Sequence, residues 1–244
     1  MTEISIKAEE LFRIGSWPVT NSLLLALVSL VVLAVTAFAL HRKLALIPGK
    51  LQGIFEMFAD EMLGLMDSVL GGRAMSEKYF PLIASVFTFI LISNWLGLLP
   101  VVGSVGIRED HSFIPLFRAP AADLNFTVVL AIVSVFAVQI LGVVAVGAGK
   151  HFSKYFTLKN PILTFAGLLE FIAEFVKIIS FSFRLFGNVF AGEVLLIIIG
   201  FLVPYILPLP FLFLEVFVGF VQALIFAMLT LVFVAMAVRE HEAH

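Results

Sequence analysis

The sequence contains no cysteine, and only 13% of its 244 residues are charged. Without cysteine there can be no disulfide, no thiolate metal site and no cysteine nucleophile. The five histidines fall at the edges of apolar runs or between them and lack the spacing of metal ligands, so neither a metal nor a cofactor is expected. The formal net charge of −2 gives no reason to expect binding to nucleic acid.

Apolar residues, by contrast, are abundant: 61% of the chain is hydrophobic, with 27 phenylalanines, and the mean hydropathy is +1.14. A soluble fold of this length could not bury so much apolar surface. The composition therefore predicts an all-α integral membrane protein. The first apolar run follows mixed charges and is too long for the core of a signal peptide, so we expect it to be a retained span.

The apolar runs divide the chain, which we interpret as a single membrane domain over 1–244. Three runs have the length of ordinary spans, and between the first two lies a stretch with apolar residues at three- and four-residue steps and acidic residues between them. That pattern predicts an amphipathic helix, either on the cytoplasmic membrane surface or against a partner, or else a solvated connector. The predicted bounds are 21–40, 79–100 and 124–147 for the spans and 50–78 for the amphipathic helix.

The last third of the chain contains two runs that are too long for simple spans, 161–203 and 208–238. About 40 helical residues extend roughly 60 Å, twice the ~30 Å hydrocarbon thickness. Such segments must either bend into hairpins or lie steeply tilted. Three prolines, Pro204, Pro208 and Pro210, interrupt the apolar sequence between them, so one turn joining two long helices is the simplest arrangement.

Basic residues are concentrated after the first span. Because lysine and arginine accumulate in cytoplasmic loops, this asymmetry predicts an amino terminus outside and a carboxyl terminus in the cytoplasm. The five basic residues of this loop are Arg42, Lys43, Lys50, Arg73 and Lys78.

Arg184 is the residue that most requires an explanation, because it lies in the middle of a very apolar run. A guanidinium cannot neutralise itself as a lysine or carboxylate can. A charge at the centre of a membrane helix costs roughly 2.5 to 3.5 kcal/mol on insertion scales. Arg184 therefore needs a partner, a water-filled cavity, or both.

Other polar residues share the helical face of Arg184. At 100° per residue, Lys177, Glu170 and Asn188 fall within 40° of Arg184, and Glu174 falls at about 80°. Glu174 and Lys177 could be a plain intrahelical ion pair, and Glu170 could extend its carboxylate to the membrane surface.

A second polar set lies elsewhere on the last two helices. Glu193 falls opposite Arg184, whereas Glu215 and Gln222 are seven residues apart and share a face that could look toward Glu193. Asn188 and Gln222 could be no more than interhelical hydrogen-bonding residues. A purely structural role for Arg184 is disfavoured, because ionisable groups within a membrane generally mark ion pathways.

These same residues carry a specific resemblance to a known family. Arg-Leu-Phe-Gly-Asn at 184–188, Ala-Gly-Glu at 191–193 and Gln-Ala-Leu-Ile-Phe at 222–226 closely resemble subunit a of the rotary F-type ATP synthase, the ATPase A chain family. Supporting matches are Pro-Gly-Lys-Leu-Gln at 48–52 and Asn-Trp-Leu-Gly-Leu-Leu-Pro at 94–100. Only about the first twenty residues contribute nothing.

The resemblance implies a fold with five to six transmembrane helices, the last two long, tilted and packed against a ring of c subunits. It implies that Arg184 faces the ion-carrying carboxylate of each c subunit and separates two half-channels. By the same resemblance Asn188, Glu193, Glu215 and Gln222 line the outer half-channel, and Glu170 belongs to the cytoplasmic one.

The resemblance also implies partners and a location. The partners are the c ring, b-type peripheral stalk subunits, membrane lipid and the rest of the complex, and the location is an energy-transducing membrane, most simply the bacterial inner membrane. The chain is not expected to be an enzyme on its own. In one respect it departs from many members, which pair a histidine with an acid where this chain has Glu193 and Glu215. Two such carboxylates within reach would titrate as a coupled pair.

Other classes of protein remain as alternatives. A stand-alone secondary ion transporter would be expected to show inverted repeats and helices broken at the midplane, and no convincing repeat is found. A structural assembly subunit would not need a buried arginine. A membrane-embedded enzyme would need a set of catalytic residues at membrane depth, and none is apparent.

Overall fold

The structure of the chain is a computed structural model that describes residues 8–42, 44–45, 48–100, 102–109, 112–153, 155, 161–204 and 206–239. Within these residues the chain forms seven α-helices. They are α1 (Asn21–Arg42), α2 (Lys50–Leu70), α3 (Arg73–Gly97), α4 (Leu124–Val146), α5 (Ala148–Ser153), α6 (Pro161–Leu202) and α7 (Pro208–Arg239).

Five of these helices, α1, α3, α4, α6 and α7, are long and apolar enough to cross a membrane. The fold is therefore that of an all-α membrane protein, as the composition predicts. The structure adds two short antiparallel hairpins that the sequence reading did not anticipate. Strands β1 (Glu10–Ile14) and β2 (Trp17–Thr20) pair before α1, and β3 (Gly106–Glu109) and β4 (Ser112–Pro115) pair between α3 and α4.

The amphipathic stretch expected as one helix over 50–78 is divided in two. Gly71, with φ of 85°, ends α2 in the left-handed conformation that glycine adopts at little cost, and α3 begins at Arg73. Residues 73–78 therefore belong to the second membrane-spanning helix. Met62, Met66 and Leu70, at four-residue steps, form the buried side of α2 and join the same core as α3.

The core of the bundle lies among α3, α4, α6 and α7, where small residues let the helices approach closely. Ala131, Ala223 and Ala227 are completely buried, as expected for helices that associate in a membrane through close packing. Aromatic side chains fill the remaining space, and the rings of Phe181 and Phe226 lie 4.6 Å apart between centroids.

The motif at the end of α3 ties that helix to α7. Asn94 Nδ2 donates to the carbonyl of Gly219 at 3.2 Å, and Trp95 Nε1 donates to the carbonyl of Val216 at 3.1 Å. A Cβ at Gly219 would lie 3.2 Å from the Asn94 Cβ, so this crossing is tight.

The two long segments are continuous helices. α6 has 42 residues and α7 has 32, which corresponds to roughly 63 and 48 Å. The segment between them, 203–207, contains the interrupting proline Pro204, and neither helix folds into a hairpin. The single-turn alternative is therefore the one that the structure adopts.

The bundle has two ends that matter for the site. The turn end is the one that holds the α6–α7 connection, the start of α1 and the start of α4; the opposite end holds the start of α6, the end of α7, and α5. At the turn end, Ser22 Oγ donates to Asp123 Oδ2 at 2.7 Å, and Asp123 caps α4 by accepting from the Asn125 backbone N–H at 3.0 Å.

Candidate functional site

Arg184 lies on α6 about midway between the two ends, on a face that the rest of the chain leaves exposed. Its Nη2 donates to Ser180 Oγ at 3.3 Å. Among the residues that the structure describes, no carboxylate forms a salt bridge with Arg184. Gly187 and Ala191, also exposed on α6, are small enough for another chain to approach the guanidinium closely.

A cavity of about 180 Å³ opens beside Arg184 between α6 and α7. Its polar lining consists of Lys177, Ser180 and Arg184; the remaining lining residues are Val176, Phe181, Leu229 and Phe233. The permanent charge therefore has space beside it.

Lys177 and Glu174 neutralise each other on α6. Lys177 Nζ donates to Glu174 Oε1 at 2.7 Å, and the ammonium lies 4.5 Å from the centre of the Phe233 ring. The predicted intrahelical pair is therefore confirmed. Glu174 is engaged by Lys177 and lies ten residues from Arg184 along α6, or about 15 Å.

Glu170 lies toward the opposite end and lines a second, smaller cavity together with Glu174, Lys177 and Gln139. Lys177 and Phe233 line both cavities. The separation of Glu170 and Arg184 along α6, 14 residues, corresponds to about 21 Å.

A cluster that sequence reasoning missed adjoins this second cavity. His151 is buried, with its Nε2 2.6 Å from Gln139 Oε1, and Tyr155 Oη donates at 3.4 Å to both Gln139 Oε1 and Glu174 Oε1. His151 fits against Gly142, where a Cβ would lie 2.6 Å from its Cε1. The available signal was Gln139 and Gly142, three residues apart on one face of α4.

Asn188 and Gln222 come together across the α6–α7 interface. Asn188 Nδ2 donates to Gln222 Oε1 at 2.5 Å, and Gln222 is almost completely buried. The two amides are 34 residues apart in the chain. They form a polar contact one turn from Arg184, on the side that leads to the turn end.

Glu215 and Glu193 lie further toward the turn end. The Glu215 side chain is buried against the backbone of Gly192, so close that a Cβ at Gly192 would collide with its carboxylate. Glu193 Oε1 lies 3.6 Å from Arg118 Nε. Arg118 is therefore an ionic partner of Glu193 that the sequence did not indicate, and the coupling of Glu193 with Glu215 stays a prediction.

Comparison with known proteins identifies the family. The family model described as ATP synthase A chain matches residues 22–235. The chain belongs to the ATP synthase A chain family. Among its curated relatives is the ATP synthase subunit a of Moorella thermoacetica, which is 31% identical over 238 residues, covering 97% of this chain and 99% of that protein.

Two further relatives carry the same description, ATP synthase subunit a. The protein of Mycobacterium ulcerans is 37% identical over 224 residues, covering 90% of this chain and 86% of its own length. The protein of Campylobacter jejuni serotype O:6 is 34% identical over 223 residues, covering 90% of each chain. Membership of the A chain family makes this chain a component of the ATP synthase complex and a multi-pass membrane protein.

The A chain residues singled out from the sequence fall into three groups along α6 and α7. Arg184 stands at the centre; Asn188, Gln222, Glu215 and Glu193 extend from it toward the turn end, and Glu170 lies toward the opposite end. Within the described part of the chain, no three histidine, aspartate or glutamate side chains are grouped so as to hold a metal ion.

Arg118 is a polar residue of this A chain that the sequence analysis did not single out. It precedes a buried 3-10 helix, Pro120–Ala122, that contacts α1, α3, α4 and α6. The signal was the run of small residues after it, Ala-Pro-Ala-Ala, which is typical of close packing rather than of a solvated loop.

Proposed function

We propose that the chain is the stationary proton-channel subunit of the F-type ATP synthase, providing two half-channels that couple proton translocation to rotation of a c ring. The observation that carries the proposal is the exposed Arg184, which lies between two groups of polar residues and pairs with no acid among the described residues. A permanent charge at membrane depth needs a counter-charge. The exposed face of α6 is where a carboxylate of a neighbouring subunit would supply it.

Arg184 separates the half-channels by electrostatics. A fixed guanidinium favours the ionised form of a ring carboxylate that faces it, so the carboxylate releases its proton before it passes. The same positive charge opposes direct passage of a proton from one half-channel to the other. A proton that enters on one side must therefore travel with the ring before it leaves on the other.

The outer half-channel is assigned to the turn end, with Glu193, Glu215, Asn188 and Gln222 as its polar residues. The protonatable carboxylates lie nearer the membrane surface, and the two amides lie between them and Arg184. Carboxylates can accept and release protons, and amides can orient a neighbouring donor without taking its proton.

The cytoplasmic half-channel is assigned to the opposite end, with Glu170 as its acid. The two cavities lined by Lys177 support this route, because one adjoins Arg184 and the other adjoins Glu170. The ammonium of Lys177 is balanced by Glu174, so it adds little net charge to the route.

The energy for rotation comes from the transmembrane potential. Each elementary charge that crosses 100 mV delivers about 2.3 kcal/mol, so several protons are needed for one ATP. The ATP chemistry belongs to other subunits, and this chain is not an enzyme on its own. It works as a single membrane domain without a cofactor.

The assignment of sides follows the charge pattern. The basic residues after α1 favour a cytoplasmic position for the opposite end, with the amino terminus outside and the carboxyl terminus inside. We assign the complex to the inner membrane of a bacterium. α6 and α7, longer than the membrane is thick, tilt within it and pack against the c ring. Subunits of the b-type peripheral stalk hold the chain stationary.

Substitution of Arg184 tests the proposal directly. In inverted vesicles that contain the whole complex, Arg184→Ala should abolish acidification driven by ATP while ATP hydrolysis continues, because the half-channels are no longer separated. The matched control is Arg42→Ala, at the exposed end of α1. Acidification at the normal rate in Arg184→Ala vesicles would contradict the separator role. No relative supports the alternative of a stand-alone transporter.

A further inference from the structure

Three distant parts of the chain meet at the turn end: Glu9 just before β1, Arg118 before the 3-10 helix, and Glu193 on α6. Arg118 is only 8% exposed, and its Nε lies 3.6 Å from Glu193 Oε1. A buried guanidinium cannot lose its charge, so its surroundings must balance it.

The position of Arg118 is fixed by the tight packing of the residues that follow it. A Cβ at Gly97 would lie 2.7 Å from the Cβ of Ala119, the residue next to Arg118. Ala121 and Ala122 are almost completely buried. The packing of these alanines therefore fixes the backbone next to Arg118 against the membrane helices.

The pairing of Arg118 with Glu193 is an ion pair without close hydrogen-bond contact. At 3.6 Å the two atoms are beyond hydrogen-bonding distance. The other oxygen, Glu193 Oε2, is buried and accepts no hydrogen bond from the described residues. A carboxylate held by charge but left with an uncommitted oxygen can still take up and release a proton.

Glu9 brings a second acid toward the same guanidinium. The backbone N–H and side-chain amide of buried Asn21 donate to the carbonyl and carboxylate of Glu9 at 3.1 and 3.4 Å, and the same amide donates to the carbonyl of Pro115 at 3.2 Å. Burial raises the pKa of Glu9 above its ordinary value, while Arg118 acts in the opposite direction and lowers it. The charge of Arg118 therefore acts on Glu9 as well as on Glu193.

We propose that Arg118 is a positioning residue for proton transfer: its fixed guanidinium holds the Glu193 carboxylate at the outer mouth of the half-channel. Arg118 itself stays protonated throughout. The proton forms a bond to a Glu193 oxygen when it enters and leaves that oxygen when it moves inward. This inference rests on the proposed function, because it assigns Glu193 to the outer path.

The test measures ATP-driven proton flux in vesicles that contain the whole complex, normalised to the amount of this subunit. Arg118→Gln, which removes the charge, should lower flux about tenfold. Arg118→Lys, which keeps the charge on an ammonium group in place of the planar guanidinium, should lower it only about two- to threefold. The control Arg73→Gln removes an exposed arginine that pairs with Asp60 and Asp67 and should leave flux unchanged.

Each Arg118 variant is then combined with Glu193→Asp. This substitution shortens the side chain by one methylene, which moves the carboxylate away from Arg118 but leaves it able to carry a proton. If Arg118 acts through Glu193, the tenfold loss should shrink to about twofold in this background, since interacting residues are not additive. A purely structural arginine would give equal losses in both backgrounds, and that result would overturn the inference.

The positioning role of Arg118 can also be tested if the complex with Arg118→Gln does not assemble. If Arg118→Gln does not assemble, the comparison is made with Arg118→Lys, whose smaller loss must likewise disappear with Glu193→Asp. Normal flux in Arg118→Gln overturns the inference while the proposed function stands, provided that Arg184→Ala abolishes flux. Normal flux in Arg184→Ala would instead remove the proposed function.

Discussion

At the scale of single residues, the two arginines at the site differ in how their charge is balanced. Arg118 is enclosed and has an acid of its own chain at 3.6 Å. Arg184 is exposed on α6, and its described hydrogen bond goes to the neutral Ser180. Arg184, whose charge has no acidic partner among the described residues, can pair with a carboxylate of another subunit. Arg118, whose charge is already balanced by Glu193, can hold that carboxylate in place.

The two outer glutamates give a prediction at the same scale. In vesicles that contain the complex, Glu193→Gln and Glu215→Gln should each lower proton flux at least about tenfold, because an amide cannot carry the proton that a carboxylate carries. Acidification driven by ATP measures the flux. Glu56→Gln, an exposed carboxylate on α2, is the control, and an unaltered flux in the Glu193→Gln/Glu215→Gln double variant would remove both from the path.

At the scale of elements, α6 and α7 approach each other closely near Glu215. Gly192 has no side chain, and the Glu215 carboxylate occupies the space that a Cβ would take. Small residues allow this kind of close approach between membrane helices. The position of the carboxylate is thus decided by a glycine on the neighbouring helix.

Substitution of this glycine should displace the carboxylate without unfolding the helix. Gly192→Ala should leave assembly intact, because the obstructed atoms are the end of a flexible side chain, and should lower flux about five- to tenfold, because proton transfer depends on positions held within about 1 Å. Flux and the amount of assembled subunit are measured together.

The matched control for this prediction is Gly200→Ala, on the same helix, where a Cβ would meet nothing within 4 Å. Shortening the displaced side chain by combining Gly192→Ala with Glu215→Asp should restore part of the flux. Equal flux in Gly192→Ala and Gly200→Ala would show that the contact between Gly192 and Glu215 does not matter.

At the scale of the whole molecule, the five spans place the two polar groups at opposite ends of one bundle. The turn end contains Glu193 and Arg118, and the opposite end contains Glu170 and His151. The rings of Phe181 and Phe226 belong to the apolar core near Arg184, between these two ends.

The orientation of the bundle can be tested because the chain has no cysteine of its own. Ser104→Cys, in the loop between α3 and α4, should react with a membrane-impermeant thiol reagent that is added to the outside of spheroplasts. Gly149→Cys, an exposed position on α5 where a side chain would meet nothing within 4 Å, should react only in inverted vesicles. Labelling of both positions from the same side would contradict the proposed orientation.

The sequence by itself determined the membrane class, the long final helices and the presence of a permanent charge, Arg184, within an apolar run. Apolar run lengths and the cost of a permanent charge in a membrane are properties of residue type and order, and they do not depend on which helices are neighbours. The pairing of Glu174 with Lys177 was predictable for the same reason, since residues three apart on a helix are adjacent.

Only the tertiary structure decided which residues meet across the chain. Glu193 and Arg118 are 75 positions apart, and Gln222 reaches Asn188 on another helix. Helical periodicity gives the direction of each side chain but not the neighbour that it meets, because crossing angles and close approaches depend on packing between small residues. For that reason Arg118 and His151, which look like loop and edge residues in the sequence, became parts of the site only in the folded chain.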